Sequence, residues 1–159
     1  MVDDEKTRSW GRILALDVGK KRIGLAVSDI LRVTAQGLET LERGRIRDDL
    51  AKLNDLIQER EITLLLVGNP LHMSGSESRQ SEYTREFADR LKNYAQVPLL
   101  YWDERLTSSE AERMLKQAGA SLARRKKAVD RLAAVLLLES YLGYLEIQST
   151  STAEGESFG

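Results

Sequence analysis

Three groups of carboxylates stand where a folded chain could bring them together. Asp17 interrupts the apolar run of "LALDVGKKRIGLAVSD", Asp103 and Glu104 directly follow "VPLLYW", and Asp130 precedes the apolar segment "LAAVLLL" by two residues. Two or three converging carboxylates without His or Cys form a hard oxygen site, suited to Mg²⁺ or Mn²⁺ rather than Zn²⁺. Two such ions about 4 Å apart are an arrangement for in-line attack of water on a phosphodiester. Cations flank two of the acids: Lys20, Lys21 and Arg22 follow Asp17, and Arg124, Arg125, Lys126 and Lys127 precede Asp130. A phosphate backbone needs only such local patches, although a charge run alone is more often solvated surface. His72 is the single histidine and lies in a loop; with no nucleophile signal beside it, it builds no triad.

Each acid also has a purely structural explanation. Asp17 could cap its turn through the side chain, Asp103 or Glu104 could pair with Arg105, and Asp130 could pair with Lys126 or Lys127. The functional case rests on joint placement, so the elements that would position the acids decide it.

Ile13 to Val18 and Ile23 to Ser28 read as two short strands joined by the turn "GKKR". A third strand is expected over residues 33–41. The spacing of Ile46, Leu50, Leu53 and Ile57 predicts a helix over 45–60. "ITLLLVG", residues 62–68, has the length and continuity of a strand covered on both sides, and "NPLHMSGSES" follows as a loop. Tyr83, Phe87, Leu91 and Tyr94 predict one face of a second helix, and residues 97–102 a second buried strand. Thr107 with Glu110 has capping-box spacing, which predicts a helix to about Gln117; the last helix is expected over 124–147. A hairpin meander followed by β-α-β crossovers gives an α/β fold with a mixed sheet and helices on its faces. In such sheets, sites form at the carboxyl ends of the parallel strands. Asp17 and the Asp103–Glu104 pair belong to that edge, and Asp130 lies on a helix that must pack against the sheet. Spacing alone does not choose between Asp103 and Glu104.

Composition narrows the class. The 159 residues suit one domain, expected over 12–148, with disordered segments at 1–11 and 149–159. No cysteine is present, so disulfides and thiolate metal sites are excluded. No apolar run matches a signal peptide or a membrane span, so a cytoplasmic location and no membrane partner are expected. A net charge of −1 argues against broad nucleic-acid binding.

"ALDVGKKRIGLAVSD", "LLLVGNPLHMSGS", "DERLTSSEA" and "KKAVDRLAAVLLLESYL" resemble, in order and spacing, the YqgF/RuvX family of the ribonuclease H-like superfamily. The resemblance runs from Ile13 to Leu142. It implies a ribonuclease H-like fold with a five-stranded mixed sheet flanked by helices, its second strand antiparallel. Asp17, Glu104 and Asp130 then take the catalytic, metal-holding positions, with Asp103 as an additional candidate ligand of Mg²⁺ or Mn²⁺. The family likeness implies a nuclease that matures the 5′ end of the small-subunit rRNA precursor, pre-16S rRNA. The alternative is a Holliday junction resolvase acting on branched DNA. Expected partners are thus pre-rRNA or branched DNA, and a ribosomal particle, with the chain a monomer or a homodimer. On this reading Lys20, Lys21, Arg22 and Arg124 to Lys127 grip phosphates, Arg105 braces the carboxylates or touches the scissile phosphate, and the loop at 74–78 with Arg79 forms a lip of the cleft. Arg131 departs from the pattern, which has a small residue after the metal-position Asp; it is expected to contact phosphate or to neutralise Asp130 partly.

Two other classes remain to be weighed. Sugar kinases and actin-like ATPases open on a similar Asp-x-Gly hairpin but need two such domains, and Asp17 lies in the one copy here. A non-catalytic RNA-binding module would keep the acids without the chemistry; the absence of an evident aromatic stacking platform and the mildly acidic charge weigh against it.

Overall fold

The computed structural model describes residues 10–69, 79–103, 113, 116–117 and 122–157, with the backbone alone at 79–81, 122–130 and 150–157. Its first strand, β1 (Arg12–Val18), is the centre of the sheet. Ile13, Leu14, Ala15 and Leu16 are all fully buried, which is why the run is continuous rather than alternating: both faces of this strand are covered. β2 (Arg22–Ser28) pairs with it antiparallel, with Asp17 opposite Gly24. On its other side β1 pairs parallel with β5 (Ile62–Asn69), and β5 with β6 (Leu99–Asp103). The order is β3-β2-β1-β5-β6.

Among the described residues the sheet has six strands where five are expected, because the predicted third strand is broken in two. β3 (Ala35–Gly37) and β4 (Leu41–Glu42) both pair with β2, but Gly37 stands opposite Ala26 while Leu41 stands opposite Ile23. One extra residue therefore lies between them, a bulge of the kind that bends an edge strand. The second strand is antiparallel, as the resemblance implies.

Helices cover the two faces separately. α1 (Ile46–Glu59) buries Leu50, Leu53 and Ile57 at the predicted spacing, and α2 (Arg79–Ala95) buries Phe87, Ala88 and Leu91 beside them. These pack on Leu14, Leu16, Leu25, Leu65 and Val67. Tyr94 is 51% exposed, not part of the buried face; the α2 stripe ends on Ala95 instead. On the opposite face α3 (Leu122–Ser157) sets Ala134, Leu137, Leu138 and Tyr141 against Ile13, Ala15, Ala26 and Leu66. Each such large aliphatic side chain contributes about 1.5–3 kcal/mol on burial.

β6 is an edge strand and half-exposed, where the sequence predicts a buried one: four apolar or aromatic residues in a row reflect packing on both faces, and the outer edge has no neighbouring strand among the described residues. α3 begins two residues before the expected start and continues helical past 148, through a polar segment expected to be disordered. Neither proline of the chain, Pro70 or Pro98, falls within it, so no residue lacks the amide its ladder needs. Residues 113, 116 and 117 are helical, within the predicted 107–117 helix. The loop at 70–78 lies outside the described residues.

Candidate nuclease site

Asp17 stands at the carboxyl end of the central strand. Because side chains alternate along a strand, Asp17 shares a face with Ile13 and Ala15, which pack under α3, while Leu16 and Val18 face α1 and α2. Asp17 is half-buried, so its carboxylate sits at the mouth of the sheet edge rather than in the core.

The same alternation separates the neighbouring acids. On β6, Leu99 and Tyr101 pack on the α1–α2 side and Trp102 on the α3 side. Asp103 follows the parity of Leu99 and Tyr101, and so belongs to the face away from Asp17. Its register partner on β5 is Asn69, a buried polar residue that the sequence reading did not single out. Glu104 and Arg105 lie outside the described residues.

α3 reaches Asp17's face, and a row of register partners fixes its level. Arg131 donates from Nε to the Leu38 carbonyl at 3.1 Å, and its stem lies over Gly37. Gly37 stands opposite Ala26 and Ala26 opposite Ala15. Arg131 thus sits over the Ala15 row, and Asp17 is two residues further along β1, about 7 Å. Asp130 immediately precedes Arg131 in the α3 backbone. Among the described residues no group of three or more His, Cys, Asp or Glu side chains could hold a metal; the side chains of Glu104 and Asp130 are outside that set.

Beyond Asp17 the chain turns. Gly19 donates its amide to the Arg22 carbonyl at 2.9 Å, and a Cβ on Gly19 would stand 2.7 Å from that oxygen, so only glycine fits the turn without a shift. Lys20 and Lys21 are exposed. Arg22 is less available than its neighbours, since its Nε lies 3.5 Å from Glu42 on the facing strand. The basic residues 124–127 form part of the α3 backbone, and Arg79 opens α2.

Two features escaped the sequence reading. Trp102, Tyr141 and Tyr144 cluster with ring centroids 5.1–6.3 Å apart, and the Trp102 indole donates to Ser140 at 3.1 Å. They line a groove of about 1170 Å³ that runs from Trp102, opposite Gly68 near the carboxyl end of β6, to Leu64 and Pro98 toward the amino ends of β5 and β6. The helical spacing of Tyr141 and Tyr144 was the available signal. The second is Arg43, whose side chain is 9% exposed and whose Nε lies 3.6 Å from the carboxylate of Asp49, a side chain 1% exposed. An Arg six residues before an Asp carries no spacing signal for such a contact, because Arg43 follows a strand while Asp49 lies in the first turn of a helix.

Comparisons with known proteins agree with this architecture. A family model described as RuvX, Holliday junction resolvase, matches residues 11–144. A protein of Koribacter versatilis, provisionally named a pre-16S rRNA nuclease, is 52% identical over 138 residues, covering 87% of this chain and 90% of its own. One of Thermoanaerobacter pseudethanolicus with the same provisional name is 42% identical over 132 residues, covering 82% and 95%. Among solved structures, T. thermophilus RuvC in complex with Holliday junction substrate aligns with a TM-score of 0.54 and 16% identity, covering 85% of this chain and 96% of its own. The yeast mitochondrial Holliday junction resolvase aligns at 0.55 with 10% identity, covering 98% and 88%. These two alignments bear on the fold, which is that of the ribonuclease H-like resolvases.

Proposed function

The chain belongs to the RuvX family, and from that premise we propose that it is a divalent-metal-dependent nuclease that hydrolyses phosphodiester bonds in maturing the 5′ end of pre-16S rRNA. The observation that carries this reading is the placement of Asp17: a half-buried carboxylate at the carboxyl end of the central strand, on the face covered by the helix that bears Asp130. The donor set fits Mg²⁺ or Mn²⁺, since it offers carboxylate oxygen without soft ligands. Asp17, Glu104 and Asp130 would hold the metal. Asp103 is the weaker ligand candidate, because strand alternation puts it with Leu99 and Tyr101 on the opposite face. When bound, a divalent ion supplies Lewis acidity that lowers the pKa of the attacking water and stabilises the leaving 3′ oxygen.

The chain's own residues then have separable tasks. Asp17 fixes one side of the site because it is part of a strand paired on both sides. Lys20 and Lys21 project from the adjoining turn, where exposed ammonium groups can meet backbone phosphates; Arg22, tied to Glu42, contributes less. Arg124 to Lys127 would grip a second stretch of backbone from the first turns of α3, and Arg79 and Arg105 would border the cleft. A cytoplasmic location belongs with this reading, and among the described residues no helix is long and apolar enough to cross a membrane.

A second reading, resolution of Holliday junctions in branched DNA, is favoured by the description of the matching family model and by the resolvase-like fold. It requires two sites acting together, hence a homodimer. Cleavage of a labelled pre-16S 5′ leader and of a synthetic four-way junction, each with Mg²⁺, with Mn²⁺ and with chelator, separates the two. Metal-dependent cutting of the leader supports the rRNA role. Symmetric cutting of the junction alone assigns the second reading, and no cutting of either overturns the nuclease assignment for the isolated chain.

A further inference from the structure

We infer that Arg43 is a positioning residue for nucleic-acid binding: it holds the cationic β1–β2 turn in the conformation that presents Lys20 and Lys21 to phosphate. The inference rests on the nuclease reading for the role of those two lysines.

A turn that meets an anion must direct its carbonyl oxygens elsewhere, since a carbonyl dipole facing phosphate repels it. In this turn three carbonyls are taken up by donors of the protein itself. The Gly19 oxygen accepts from Arg43 Nη1 at 3.0 Å, and the Lys21 oxygen accepts from the Arg43 amide at 2.9 Å. The Arg22 oxygen accepts from the Gly19 amide. Two of the three donors belong to one residue, which directly follows β4.

Arg43 is in turn held from several sides. Its guanidinium donates to the Tyr83 hydroxyl and lies over the rings of Tyr83 and Phe87, with centroid distances of 5.0 and 4.7 Å. Asp49 supplies the countercharge and accepts the Gly44 amide at 3.0 Å through its other oxygen. The planar fork of an arginine suits this, because it can donate in one plane while its faces stack on aromatic rings. One side chain therefore joins the turn, α1 and the first half of α2.

Stability alone does not account for a charge pair here. Well-packed apolar groups can replace a buried ion pair with no loss of stability, and sometimes with a gain. What an apolar residue cannot do is donate to the Gly19 carbonyl.

The test is binding of a fluorescein-labelled single-stranded RNA to the full chain in chelator, so that nothing is cut, across a range of KCl concentrations. Four proteins are compared: wild type, the pair Lys20→Ala/Lys21→Ala, Arg43→Met, and all three substitutions together. The lysine pair is expected to weaken binding and to flatten the dependence of log affinity on log salt by about 0.7 for each phosphate no longer neutralised. Arg43→Met is expected to reproduce most of that loss and flattening. The triple variant is expected to bind no more weakly than the lysine pair, because Arg43 acts through the lysines. If Arg43→Met does not fold, Arg43→Lys carries the same comparison, since it keeps a cation beside Asp49 without the fork. Wild-type binding by a folded Arg43 variant overturns the inference, and so does a triple variant whose loss is the product of the two separate losses. Unchanged binding by the lysine pair overturns it differently, by showing that the turn does not grip phosphate.

Discussion

The stem of Arg131 occupies the space above Gly37 that a side chain at 37 would need: a Cβ there would stand 2.8 Å from Arg131 Cγ and 3.1 Å from its Cδ. This contact, with the Nε bond to Leu38, fastens α3 to the bulged edge of the sheet one residue beyond Asp130. It also alters the role expected of Arg131. Its Nε is engaged by a backbone carbonyl of β3's continuation, so Arg131 acts first as a clamp between helix and sheet.

Gly37→Ala is expected to destabilise the protein by about 1–3 kcal/mol, the range for overpacking a close contact. In an Arg131→Ala background the cost should shrink, leaving the 3.2 Å approach to Val135 as the remaining crowding. Urea denaturation of the four proteins gives the coupling, expected to exceed about 0.5 kcal/mol. Additive effects would show that the Arg131 stem is not what excludes a side chain at 37.

Glu61 adopts φ +54° where α1 hands over to β5, with its amide bonded to the Gln58 carbonyl. That left-handed conformation is a helix C′ position, which glycine occupies without the penalty an L side chain carries, about 1 kcal/mol. Glu61→Gly is expected to raise the unfolding midpoint by an amount of that order, read in the same denaturation experiment. A lower midpoint would mean that the Glu61 side chain contributes more than its backbone costs.

Asp29 stabilises its turn in a pH-dependent way. Its Oδ1 accepts the amides of Thr34 and Val33 at 2.9 and 2.7 Å, and these bonds, the Thr34 amide foremost, hold its pKa below the usual carboxylate range against an opposing effect of burial. A carboxyl whose folded pKa is depressed lends stability above its unfolded pKa, and that stability is lost as pH falls through the folded value. Asp29→Ala should therefore be less stable than wild type at neutral pH, by less than about 1 kcal/mol because solvent screens so exposed a group, with the gap narrowing below about pH 4. Urea midpoints measured from neutral pH to about pH 2 test this; a gap constant with pH would remove the charge from the explanation.

Much of this fold is legible in the sequence because burial on two faces leaves unmistakable runs. Residues 13–16 and 64–67 are apolar without alternation, and they are the two strands with helices above and below. The helical spacing of Leu50, Leu53 and Ile57 is equally direct. Residues 33–41 misled, since a bulge adds a residue without altering composition. The edge position of β6 was hidden for a related reason: neighbour identity is a property of topology, and "LLYW" reads the same at a centre or an edge. In the site, Asp17 stood out as a carboxylate inside an apolar run. Arg43 did not, because its contacts with Gly19, Asp49 and Tyr83 join separate elements and leave no local pattern.

The nuclease account is tested most directly by the rate of Mg²⁺-dependent cleavage of a labelled pre-16S 5′ leader by wild type and by Asp17→Asn, with RNA affinity and unfolding midpoint measured alongside. The expected result is a loss of about a thousandfold in rate, equivalent to about 4 kcal/mol of transition-state stabilisation, in a folded protein that still binds the RNA. Cleavage by Asp17→Asn at the wild-type rate with the same metal would contradict the assignment of Asp17 as a metal-holding catalytic residue.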